Sequence, residues 1–241
     1  MTSDKKQEKQ NLRIRHKFIK IIARLLLCFI IFSIFIVLHL RWINPVTSAV
    51  MITRHITNKD KKYPVKFKWA DWKDISPYMP LAVIAAEDQK FFYHYGFDVQ
   101  AILRAIEDNN NKSQLKGAST ITQQVAKNLF LWKKKSYIRK AFEAYFAILL
   151  ELLWSKKRIL EVYLNIAEFG DNIYGVSAAS DILLGKSANK LTENNAALLA
   201  SALPNPKKFK VKRPSAYMNK RRIWIKKQMR RLGGIGILKK L

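Results

Sequence analysis

Two short segments of the chain carry side chains able to move a proton or hold an anion. At 85–98, AAEDQKFFYHYGFD sets Glu87 and Asp88 at the end of an apolar run, just ahead of aromatics, His94 and Gly96. A carboxylate at a helix C-terminus faces the negative end of the macrodipole. Such a group is either a solvated surface acid or a carboxylate whose raised pKa suits it to accept a proton. At 136–151, SYIRKAFEAYFAILLE places Arg139 and Lys140 four and three residues before Glu143, all on one helical face. That spacing fits a structural ion pair, and it equally fits a second acid flanked by cations that receive an anionic group. From Lys127 to Lys140 there are six basic residues and no acidic one, a local field suited to phosphate.

A third segment, GASTITQQVAKN at 117–128, is polar for an interior helix. With a start near Ser119, Ile121, Val125 and Leu129 form an apolar stripe, which turns Thr120, Gln123, Gln124 and Lys127 to the opposite face. That face is either solvated or lines a ligand site. Glycine usage favours the second: only five glycines (96, 117, 170, 175 and 185) lie between residues 43 and 232, and four of them punctuate polar-rich segments. Glycine concentrated in this way suggests backbone shaped around a ligand.

The elements that position these groups read as helices. Pro80 opens an apolar helix, and Asp98 caps one whose apolar positions Val99, Ile102, Leu103 and Ile106 follow i, i+3, i+4, i+7. Ser136 caps a long helix to about Trp154, Ser155 the next to Ala167, and Thr192 another that ends before Pro204. Residues 41–75 are only weakly periodic, and no run shows sustained two-residue alternation. From Ser215 a basic helix predicts an apolar stripe of Met218, Ile225, Met229 and Leu232. It is either a helix lying on an anionic membrane surface or an ordinary capping helix with a solvated basic face.

The N-terminus sets the compartment. Residues 1–20 carry seven Lys/Arg against Asp4 and Glu8, followed by IIARLLLCFIIFSIFIVLHL at 21–40. Twenty helical residues match a hydrocarbon core of about 30 Å, with Arg24 near one end, where it can snorkel. A cleaved signal peptide is the rival, but its apolar region should be about 7–15 residues and Thr47-Ser48-Ala49 is a poor cleavage site. The expected organisation is a cytoplasmic basic tail (1–20), a transmembrane helix (21–40) and one all-α domain (45–241), the domain lying outside by the positive-inside rule. The balance of 45 basic against 17 acidic residues, +28 overall, calls for an anionic partner, and this topology excludes intracellular nucleic acid. The single cysteine, Cys28, excludes an intrachain disulfide and any cysteine metal cluster.

Taken in order, the segments Glu-Asp-x-x-Phe-x-x-His-x-Gly (87–96), Gly-x-Ser-Thr-Ile-Thr-Gln-Gln-x-x-Lys-Asn (117–128), Arg-Lys-x-x-Glu (139–143) and Ile-Leu-Glu-x-Tyr-Leu-Asn-x-x-x-x-Gly (159–170) resemble the successive motifs of the peptidoglycan glycosyltransferases. ALLASALPNPKKF at 197–209 looks like that family's last motif, and the resemblance covers roughly residues 45–232. It implies a lysozyme-like helical fold with a smaller membrane-facing lobe, and polymerisation of lipid II into β-1,4 glycan strands with release of undecaprenyl diphosphate. It further implies that Glu87 is the general base and that Glu143 is the second acid on the donor side. Lys127, Arg139 and Lys140 then bind or lie beside the donor pyrophosphate. Ser119, Thr120, Gln124 and Asn128 line the same cleft, while Asn165 and Gly170 are more architectural.

The implied partners are lipid II, the growing lipid-linked glycan, the bacterial inner membrane and other cell-wall synthesis proteins. No cofactor is fixed; a divalent cation, Mg or Mn, is a candidate at the pyrophosphate, but the sequence has no clear ligand cluster for it. Glu168, where bifunctional relatives commonly carry tyrosine, and the absence of a Lys-Thr-Gly or Lys-Ser-Gly triplet look like the monofunctional branch. Two rivals remain: a lysozyme-like lytic enzyme, which leaves the cation cluster unexplained, and a non-catalytic module binding anionic lipid or wall polymer, which leaves the paired acids unexplained.

Overall fold

The computed structural model describes residues 2–57, 64–110, 119–134 and 136–241; Gly117, singled out above, and Lys135, one of the six basic residues from Lys127 to Lys140, lie outside them. The chain divides into two units, Met1–Ile43 and Asn44–Leu241. The first is one helix, α1 (Thr2–His39), whose stretch Arg15–His39 has a mean hydropathy of 3.0 and is long and apolar enough to cross a membrane.

In the second unit nine helices stand among the described residues: α2 (Ala49–Thr57), α3 (Tyr78–Glu87), α4 (Val99–Asn110), α5 (Ile121–Phe130), α6 (Tyr137–Leu153), α7 (Lys156–Ile166), α8 (Val176–Leu184), α9 (Glu193–Ala202) and α10 (Ala216–Arg231). The helical, lysozyme-like class expected from the motifs is the one found. A small sheet is added to it: β1 (Lys66–Phe67) runs parallel to β3 (Ile173–Tyr174), which pairs antiparallel with β2 (Glu168–Gly170). These strands are too short for any alternation to register in the sequence.

The core is built on α3, α5 and α7. From Met79 to Ala85 every residue of α3 is buried, so this helix is apolar all round rather than striped. Burying side chains such as Met79, Leu81 and Ile84 stabilises by roughly 1.5–3 kcal/mol each. The helix starts at Tyr78, with Pro80 inside the first turn, where its missing N–H costs nothing. Ser136, Ser155, Thr192 and Ser215 each accept a bond from a first-turn N–H, as the sequence predicts. Asn165 is fully buried and clamps the chain before α3: its side chain accepts from Ala70 N–H at 2.8 Å and donates to the Ala70 and Glu161 carbonyls at 2.9 Å each.

Two helices place their apolar positions in different ways. On α4, capped by Asp98 as expected, Val99 and Leu103 are exposed, so that apolar stripe is not a core face; the side chain of Ile106 lies outside the description. On α10, Met218, Ile225 and Met229 are buried because the helix packs on α9 and α3, and Lys226 and Arg230 pair with Glu193. The stripe is therefore committed to the protein core and does not itself face a membrane.

Candidate active site

The acidic pair at the end of α3 is split between two tasks. Asp88 is the helix C-cap and is buried. One carboxylate oxygen bonds the His94 ring at 2.9 Å, and the other accepts from Ile121 N–H at 3.0 Å, at the start of α5. A negative charge is favourable at a helix N-terminus, so Asp88 ties three segments together. Thr120 closes the same junction: its hydroxyl donates to Gly96 C=O at 2.6 Å and accepts from Gln123 N–H, and Gln123 Oε1 accepts from Thr120 N–H. This capping box satisfies donors that a helix start leaves without partners. It also corrects one expectation, for Thr120 is buried and its hydroxyl is consumed, so it does not line the cleft.

Glu87 is turned the other way. Its Oε2 accepts from Gln124 Nε2 at 3.0 Å, and Gln124 Oε1 accepts from the Tyr163 hydroxyl at 3.2 Å. Its Oε1 lies 3.7 Å from the Arg221 guanidinium. Burial raises the pKa of Glu87; the Gln124 bond, then Arg221 and Lys127, work against that rise, and Asp88 adds to it. Tyr163 is held un-ionised by burial, and the nearby Glu87 and Asp88 reinforce this, so its hydroxyl remains a donor to Gln124.

Beyond Gln124 opens a cleft of about 380 Å³. Ser119, Gln124, Lys127 and Asn128 line it from one side and Arg139, Lys140 and Glu143 from another, so seven of the nine candidate residues share one cavity. Glu87 borders it through Gln124. Glu143 is only 3% exposed and is clamped by Arg139 Nη1 at 2.6 Å and by Lys140 Nζ. Burial lowers the pKa of Lys127; Glu143 opposes this most, Arg139 and Lys140 add to the lowering, and Glu87 opposes it weakly. Behind this wall Thr122 donates to Glu151, which also receives Lys156, and Lys156 donates to His94 C=O. The network pins α5, α6 and α7 to the 91–96 loop.

Sequence reasoning missed three participants. Tyr163 stands in the Tyr-Leu-Asn motif read as architectural, and its neighbour Asn165 was the available signal. Arg221 lies in a run of basic residues with nothing to distinguish it locally. Lys133 was one of six cations in a run, yet it lines the cleft together with Glu168; burial lowers its pKa and Glu168 opposes the change. The residues do not form a cage that would hold a metal by protein ligands alone. Among the described residues no three His, Cys, Asp or Glu side chains converge, and Glu143 is already held by two cations.

The arrangement joins a half-buried carboxylate, bonded on one oxygen by Gln124 and facing Arg221 at 3.7 Å with the other, to a cavity walled by four cations, Lys127, Lys133, Arg139 and Lys140. It can take a proton from a hydroxyl and stabilise a departing anion. The Transglycosylase family model matches residues 53–230 of the chain. A biosynthetic peptidoglycan transglycosylase of Shewanella oneidensis is 51% identical over 218 residues, covering 90% of this chain and 94% of the relative. Proteins of the same name from Xanthomonas campestris pv. campestris (44% over 238 residues, 98% and 96% covered) and Stutzerimonas stutzeri (46% over 222 residues, 91% and 92%) are also similar.

Proposed function

We propose a reaction for this chain on the premise that it belongs to the Transglycosylase family, and is thus a peptidoglycan glycosyltransferase acting on lipid-linked glycan at the membrane. The donor is the growing glycan on its lipid diphosphate and the acceptor is lipid II. Glu87 takes the proton from the acceptor's 4-hydroxyl, and the freed oxygen bonds the donor's anomeric carbon. The bond from that carbon to the diphosphate breaks, and undecaprenyl diphosphate departs with the electron pair. Attack from the face opposite the leaving group inverts an α-linkage to β-1,4.

The leaving group needs its charge matched more than it needs a proton, and Lys127, Arg139 and Lys140 are the cations on that wall assigned to it, with Lys133 also lining the cleft. Glu143 orders two of them rather than transferring a proton itself. Ser119, just ahead of α5, and Gln124 and Asn128 on it offer hydrogen bonds to the sugars. Among the described residues Mg or Mn finds no cluster of three protein ligands, and no step is routed through it. The apolar part of α1 anchors the chain in the inner membrane with its N-terminus in the cytoplasm, which keeps the cleft on the side where the lipid-linked substrate is displayed.

One observation carries the reading: the half-buried Glu87 carboxylate is held on Oε2 by Gln124, which itself lines a cation-walled cleft, while its Oε1 makes no polar contact closer than the 3.7 Å to Arg221 among the described residues. A lytic enzyme has no use for four cations there, and a binding module has none for a half-buried base. The test is Glu87→Gln in the full chain with purified lipid II. Shape is kept and proton acceptance lost, so polymerisation falls by roughly 10²–10⁴-fold while lipid II binding persists. Activity within about tenfold of the unaltered chain moves the base elsewhere.

A further inference from the structure

Arg221 belongs to the basic C-terminal helix, yet its guanidinium is turned into the protein. Nη2 lies 3.7 Å from Glu87 Oε1 and donates to Ala86 C=O at 3.4 Å. The guanidinium carbon stands 5.9 Å from the centroid of the Trp224 ring, and Nε is buried with no hydrogen-bond partner among the described residues. The reach of the side chain is not incidental, because Met218, Ile225 and Met229 lock α10 onto α3 and α9. A cation there answers two demands at once. It meets a carbonyl of the last turn of α3, which has no partner within the helix, and it offsets the negative helix end that Glu87 must face.

We propose that Arg221 is a positioning residue for glycosyl transfer: it keeps the Glu87 carboxylate anionic and leaves Oε1 as the oxygen that receives the acceptor's proton. The inference rests on the reading of Glu87 as the base. Geometry separates the two oxygens. Oε2 is occupied by Gln124 at hydrogen-bond distance, whereas 3.7 Å from Arg221 is too long for a hydrogen bond and short enough for strong attraction between charges. A bidentate clasp would consume the lone pair that the reaction needs; this contact supplies charge without doing so.

The other groups facing Glu87 do not replace it. From α5 come Gln124, which is neutral, and Lys127, whose charge is shared with Glu143. From α7 comes Tyr163, held un-ionised, and from its own helix end Asp88, whose charge opposes ionisation of Glu87. On α9, Glu193 is engaged with Lys226 and Arg230. Arg221 makes no second ion pair among the described residues, so Glu87 is the one carboxylate its charge offsets there.

The test measures initial rates of lipid II polymerisation against pH with the full chain in detergent, for the unaltered protein, Arg221→Gln, Arg221→Lys and Glu87→Gln. Arg221 favours the ionised base, so removing its charge means that Glu87 takes up a proton at higher pH. The acid limb of kcat for Arg221→Gln therefore moves to higher pH, the rate recovers on the alkaline side, and KM for lipid II stays unchanged. Arg221→Lys keeps the limb of the unaltered chain. Where Arg221→Gln does not fold, Arg221→Met keeps an unbranched side chain without the charge and carries the same expectation. A loss by one factor at every pH with an unmoved acid limb, or an effect on KM alone, overturns the proposal while the Glu87 reading stands. Retained polymerisation by Glu87→Gln removes that reading and this inference with it.

Discussion

Replacing Glu143 by glutamine removes one negative charge from a wall that holds Lys127, Arg139 and Lys140, with almost no change of shape. The Glu143 side chain is 4% exposed and that of Arg139 11%, whereas Lys140 is 49% exposed and free to turn to water. Breaking a buried ion pair by removing one partner costs roughly 3–5 kcal/mol. With the Lys140 half rehydrated, about 3 kcal/mol is expected, all of it from the Arg139 half. At about 1.4 kcal/mol per factor of ten, full expression of that loss in the transition state slows polymerisation by about 100-fold, and partial expression by about tenfold.

The pH profile adds a second, independent signature. Lys127 is already pushed toward its neutral form by burial, and Glu143 is the largest influence opposing that push. Without Glu143, Lys127 loses its proton at lower pH, so the basic limb of the rate profile moves down toward neutrality. The assay is the initial rate of lipid II polymerisation across pH, with thermal unfolding of the same sample as a check on folding. A folded Glu143→Gln protein within about twofold of the unaltered rate, its basic limb unmoved, refutes the role given to this carboxylate. An acid limb lost instead would make Glu143 a proton carrier.

Lys127→Ala and Arg139→Ala should each reduce turnover sharply, while Lys134→Ala, exposed and outside the cleft lining, leaves it nearly intact; equal losses from all three in a glycan-chain assay would mean a diffuse field and no defined anion site. Gly175→Ala should destabilise by about 3 kcal/mol, because its φ of +82° is strained for any other residue and a Cβ would sit 2.7 Å from the Asn165 carbonyl. Gly185→Ala, also at positive φ but with open space around it, should cost about 1 kcal/mol. Denaturant unfolding of the two variants compares them directly, and equal costs would show that the contact with Asn165 carries no weight.

What the sequence determined by itself is whatever depends on neighbours a few residues away. Ser136, Ser155, Thr192 and Ser215 cap helices because a hydroxyl and the N–H groups it meets lie within three positions. Arg139 and Lys140 reach Glu143 because one helical turn brings them together. The apolar stretch in α1 is legible from its length and composition. The motif order carried the family, and with it the cleft residues, because those side chains are spaced along α5 and α6.

Only the tertiary structure decided which of two adjacent acids faces the cleft, why Thr120 does not, and which arginine of a basic helix meets Glu87. Asp88 is fixed by an N–H 33 residues away, and Glu87 by Gln124, 37 away, and by Arg221 on α10. A periodic stripe says that one side of a helix is buried, not against what. The exposed Val99 and Leu103 and the buried Met218 and Ile225 show that the same pattern has opposite outcomes. A charge acquires a direction only when packing fixes the rotation of its helix, and the partners that fix it are distant in the chain.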